Sequence, residues 1–151
     1  MESTEKSVEV LNDLIEINND RIDGFERASK DLGNVDVDLK AVFEKFASDS
    51  RRYVQELSQA VGEAGGEVET GNTATGTIHR AWLDVKATFS GHDRKSILEE
   101  CERGEDAIKK AYRDALAEGA LSTQHTQVVS QQQQGINEGH DSIKALRDAQ
   151  V

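Results

Sequence analysis

KSILEECERGEDAIKKAY, residues Lys95 to Tyr112, decides how the rest of this chain is read. Ile97, Leu98, Cys101, Ile108, Ala111 and Ala115 recur at intervals of three and four, the spacing that lines apolar side chains along one face of a helix. Glu105 stands on that same face, four residues after Cys101 and three before Ile108. An unpaired carboxylate there is expensive, so it needs a partner, a proton, a metal or a route to water. Cys101 is the single cysteine. It reads as a small buried hydrophobe, and one thiol can form neither an internal disulfide nor a thiolate metal motif.

Working outward, the same periodicity predicts long helices on both sides. The first spans about 4–32, with Ser3 or Thr4 as N-cap, Glu5 in the first turn, and Val8, Leu11, Leu14, Ile15, Ile22, Phe25 and Leu32 as its apolar stripe. Gly33 is its expected stop. Asn18 lies on that stripe and reads as a hydrogen-bonded core amide that sets register. The second helix, about 37–62, carries Leu39, Val42, Phe43, Phe46, Ser50, Tyr53, Val54, Leu57 and Val61. The turn between the two is short enough to make them an antiparallel hairpin. After a Gly-, Glu- and Thr-rich connection with Gly65-Gly66 as its flexible point, a short helix is expected over 78–89 on Ile78, Trp82, Val85 and Phe89. The third long helix, about 94–118, ends at Gly119. The fourth, about 123–149, carries Val129, Ile136, Ile143 and Leu146 and makes a second hairpin with it.

This is one all-α domain over residues 1–151, a four-helix bundle with a short extra helix in the long connection between helices two and three. Such a connection either crosses the bundle lengthwise or stays at one end, and its length favours crossing. The chain contains no proline, in keeping with uninterrupted helices.

Net charge is −11, which repels nucleic acid and anionic lipid. The N-terminal segment lacks the basic region and apolar run of a secretory signal, and no apolar stretch reaches membrane length. The expected location is the cytoplasm, with neither nucleic acid nor membrane as partner.

Three segments carry a family resemblance: VLNDLIEINNDRIDGFERA in the first helix, IHRAWLDVKATFSGHDRKSILEECERGEDAIKKAY across the connection and third helix, and HDSIKALRD near the end. Together they resemble an uncharacterised bacterial family of ferritin-like four-helix-bundle proteins. The resemblance implies a fold and no established activity.

A ferritin-like fold raises the question of a di-iron centre, which takes Glu-x-x-His pairs from two helices so that carboxylate and imidazole converge from successive turns. The residues three before His79, His92, His125 and His140 are Gly76, Phe89, Ser122 and Asn137, so that pattern is absent. What remains is a non-standard metal or redox site built from Glu105 and His140, each on its helix's core stripe, with Glu56 and Glu26 as further ligands and iron or another divalent metal as cofactor. A buried Glu105–His140 hydrogen bond tethering two helices is the plainer reading.

No phosphate loop or nucleophile motif is present, and the leading expectation is a non-enzymatic protein without cofactor. It would act by association, as a homo-oligomer or with a protein partner. No Asp, Glu, Lys or Arg falls between Glu118 and Glu138. Charge depletion favours a subunit contact, and Val129, Gln132 and Gln133 are the expected interface residues.

Overall fold

Apolar residues at intervals of three and four produce four long helices, whose polar residues then set how they pair. A computed structural model describes residues 2–32, 37–68 and 94–149. Among them the regular elements are α1 (Glu2–Leu32), α2 (Val37–Glu63), α3 (Arg94–Ala117) and α4 (Thr123–Asp148). Their bounds fall within a turn of those expected. The short helix expected over 78–89, with His79 and Trp82, lies outside the described residues, as do Gly33 and His92.

Helix α1 has 31 residues, a rod of about 46 Å at the usual helical rise. Its buried line is Leu11, Leu14, Asn18, Arg21, Phe25 and Ala28, at alternating steps of three and four. Ile22, expected on the stripe, is only half-buried, and Arg21 takes the inward position. The matching line on α2 is Leu39, Phe43, Phe46, Ser50, Tyr53 and Leu57. Each fully buried Leu, Ile or Phe contributes about 1.5–3 kcal/mol. Phe25 meets Phe43 and Phe46 with ring centroids 5.3 and 5.4 Å apart.

Helices α1 and α2 run antiparallel. Ser29 bonds to Glu44, Asn18 to Ser50, and Asn12 to the carbonyl of Glu67, so that rising numbers on one helix meet falling numbers on the other. The segment after α2 is more fixed than its glycines suggest. Gly65 takes a φ of 84°, and the Gly66 N–H donates back to the Val61 carbonyl at 3.0 Å while the Gly65 N–H donates to Gly62. This closes the orphan carbonyls of the helix end. Gly66 also abuts Val8 so closely that a Cβ there would sit 2.6 Å from its methyls. The expected flexible point is thus a helix stop seated on α1.

Helices α3 and α4 form the second hairpin. Gly119 follows α3 with a φ of 66°, and Ser122 caps α4 by accepting the His125 N–H at 3.1 Å. Between the hairpins, Lys6, Asn18 and Arg21 of α1 meet Glu118, Tyr112 and Glu105 in that order. Along α2, Glu63 and Tyr53 meet His125 and Gln132 of α4. Both pairings are antiparallel, so α2 and α3 run parallel, and Glu63 and Arg94 lie at opposite ends of the bundle. Among the described residues no helix is long and apolar enough to cross a membrane.

Candidate functional site

The chemistry of the interior begins with Arg21 and Glu105, whose side chains are 1% and 0% exposed. Neither charge is tolerable alone at that depth. Arg21 Nε donates to Glu105 Oε1 at 2.8 Å and Nη2 donates to Oε2 at 3.0 Å, the two-pronged match of guanidinium to carboxylate. Arg21 Nη1 donates to Ser50 Oγ at 3.0 Å and toward the Phe46 carbonyl. The guanidinium also lies 5.3 Å from the centroids of both Phe25 and Phe46, adding cation–π attraction. Burial pushes the Arg21 pKa down, but the Glu105 charge and its hydrogen bonds more than offset this, and the group stays above the ordinary arginine value.

A chain of neutral groups continues from this pair through all four helices. Ser50 Oγ donates to Asn18 Oδ1 at 2.9 Å, and Asn18 Nδ2 donates to the Tyr112 hydroxyl at 2.8 Å. The Tyr112 hydroxyl donates in turn to Gln132 Oε1 at 2.8 Å, and Gln132 Nε2 donates to Glu56 Oε1 at 2.9 Å. Burial pushes the Tyr112 phenol well above its ordinary value, a rise that the hydrogen bond from Asn18 only partly opposes. Gly139 lets α4 approach the pair, since a Cβ there would lie 2.8 Å from Arg21 Nη2 and 3.1 Å from Glu105 Oε2.

A second cluster sits on the α3–α4 seam. Glu102 and Asp106 are one turn apart on α3 and face His140 on α4. His140 Nε2 is 2.6 Å from Asp106 Oδ1 and 3.9 Å from Glu102 Oε1, while Nδ1 is 3.3 Å from Asp141 Oδ1. Arg147 pairs with the other Glu102 oxygen. The imidazole is 9% exposed and Asp106 is 60% exposed, so the cluster is closed within and open on one side.

The residues expected to share a metal site are therefore dispersed. Glu105 is bound to Arg21 and not to His140, which turns instead to Asp106 and Glu102. Glu26 is exposed and ion-paired with Arg51 at 2.7 Å, and Glu56 holds Gln132 at the edge of the interior network. Of the expected interface residues, Val129 and Gln132 are buried within the chain's own bundle, and Gln133 is half-buried. Arg21 escaped the sequence reading although it lies three after Asn18 and four before Phe25, which is the spacing of the stripe itself. A cation at an inward position opposite an inward carboxylate was the available signal.

Among the described residues, fold and geometry together define an all-α arrangement of four helices with a charge-paired polar interior. The chain belongs to the family described as Domain of unknown function (DUF2383), whose model matches residues 6–118. That match takes in Asn18, Arg21, Ser50, Glu105 and Tyr112 and ends before α4. No curated protein matches the chain.

Proposed function

We propose that this chain is a non-enzymatic, ferritin-like helical bundle of the cytoplasm that acts by association with a second copy of itself. Support for the ferritin-like arrangement comes from the two antiparallel hairpins and the parallel sense of α2 and α3. The interior speaks against chemistry there. The Arg21 guanidinium occupies the middle of the bundle and donates to both Glu105 oxygens, the Ser50 hydroxyl and a carbonyl, so the Glu105 carboxylate is fully engaged.

The observation that carries the associative reading is the outer face of α4. Gln124, Gln127, Gln131 and Gln134 recur at helical spacing and are all exposed, forming an amide stripe in a stretch without charge. Amide side chains can exchange hydrogen bonds with a symmetry-related copy without burying charge, which suits a two-fold contact. Sedimentation velocity tests this. The wild-type chain is expected to sediment as an oligomer, and a Gln127→Glu, Gln131→Glu, Gln134→Glu variant as a monomer of unchanged helicity. A monomeric wild type, or a variant that assembles equally well, removes α4 as the interface.

A further inference from the structure

The seam cluster points past association, because its groups have the chemistry of ligands and the interior network does not use them. Glu102, Asp106 and His140 each offer one donor atom, and these three atoms lie within 4.8 Å of one another. Carboxylates alone would be a solvated surface, but His140 adds an independent observation. Its ring is more than nine-tenths buried, and Nε2 lies 2.6 Å from Asp106 Oδ1 and 3.9 Å from Glu102 Oε1 with no aligned hydrogen-bond partner among the described residues. The lone pairs of an imidazole nitrogen and a carboxylate oxygen only 2.6 Å apart repel one another unless a proton or a cation stands between them. The opposite ring nitrogen, Nδ1, lies within hydrogen-bond reach of Asp141 Oδ1 at 3.3 Å. A hydrogen on Nδ1 directed at that carboxylate leaves the Nε2 lone pair for a cation, the outer support that ligating histidines usually have.

From this geometry we infer that Glu102, Asp106 and His140 bind one first-row divalent transition cation across the α3–α4 seam. Two carboxylates with one imidazole match that class, whereas calcium and magnesium favour oxygen-only sites. Donors held by one such ion stand roughly 3 Å apart. Asp106 therefore draws back slightly and Glu102 closes in, both within side-chain rotation. The open side at Asp106 leaves a coordination position for water. Arg147 is the built-in competitor: it pairs with Glu102, and its charge opposes a cation until the side chain swings outward. The cation joins α3 to α4, and the inference does not rest on self-association.

Titration of the metal-free, untagged chain with Zn2+ by calorimetry tests the site. One equivalent is expected to bind, with a rise in melting temperature by mass action. Asp106→Asn, at an exposed residue that leaves folding intact, and His140→Gln should each weaken binding by about tenfold or more, and Arg147→Gln should tighten it. The His140 ring resonances should shift on Zn2+ addition in wild type and stay in place in Asp106→Asn. Failure to bind at millimolar Zn2+, or binding that survives both Asp106→Asn and His140→Gln, overturns the inference.

Discussion

Glu105 and Asp106 are adjacent on α3, yet one lies in the closed interior and the other on the open seam. A step of 100° around the helix separates them. Glu105 meets a buried cation, and both of its oxygens are taken by Arg21. Asp106 meets a buried imidazole from one side and solvent from the other. Depth decides what a carboxylate can do. In the interior, charge survives only by complete neutralisation, which leaves nothing for a ligand; on the seam, partial neutralisation leaves a site that can exchange its partner.

The largest expected effect breaks the interior half of this contrast. Arg21→Met leaves Glu105 charged and unpaired, and urea denaturation should show a loss of about 3–5 kcal/mol. Adding Glu105→Leu to Arg21→Met should recover most of that loss, because the pair is expensive chiefly when broken. A single substitution that costs almost nothing would mean that water reaches Glu105. Next comes Gly139→Ala, whose methyl would press on the Arg21–Glu105 pair. The guanidinium is held by several hydrogen bonds and cannot swing away, so an overpacking loss of about 1–3 kcal/mol is expected in the same measurement.

Tyr112→Phe removes the hydroxyl linking Asn18 to Gln132 and should cost about 1–2 kcal/mol at neutral pH. It also has an alkaline signature. Burial raises the Tyr112 pKa above its unfolded value of 10.0, so the folded chain holds a proton that the unfolded chain releases. The associated stability is complete below pH 10.0 and falls as pH rises above it. Melting temperatures across that range should fall less steeply for Tyr112→Phe than for wild type. The smallest effect belongs to the seam. Asp106→Asn, at an exposed residue, should change metal-free stability by no more than about 0.5 kcal/mol. A loss as large as that of Arg21→Met would erase the distinction between the two regions.

Much of the fold was legible because helical periodicity is local. Leu11, Leu14 and Phe25 on α1, and Phe43, Phe46 and Leu57 on α2, announce their faces by spacing alone, and all are buried. Asn18, standing among apolar neighbours, announced itself as a core amide. The site was legible only in part. Glu105 was visible as a charge in the wrong place, but the choice between Arg21 and His140 as its partner depends on helix register. Gln132 illustrates the same limit. It sits in a charge-free glutamine run that reads as surface, and its amide turns inward to Tyr112 and Glu56.

By itself the sequence determined four amphipathic helices, their ends and the presence of a misplaced carboxylate, because each depends on residues within a few turns of one another. The tertiary structure alone decided that Arg21 neutralises Glu105 across 84 residues of chain, and that Glu102, Asp106 and His140 meet on the seam. Those outcomes depend on which helices are neighbours and at what height. Long-range register fixes both, and no local pattern encodes it.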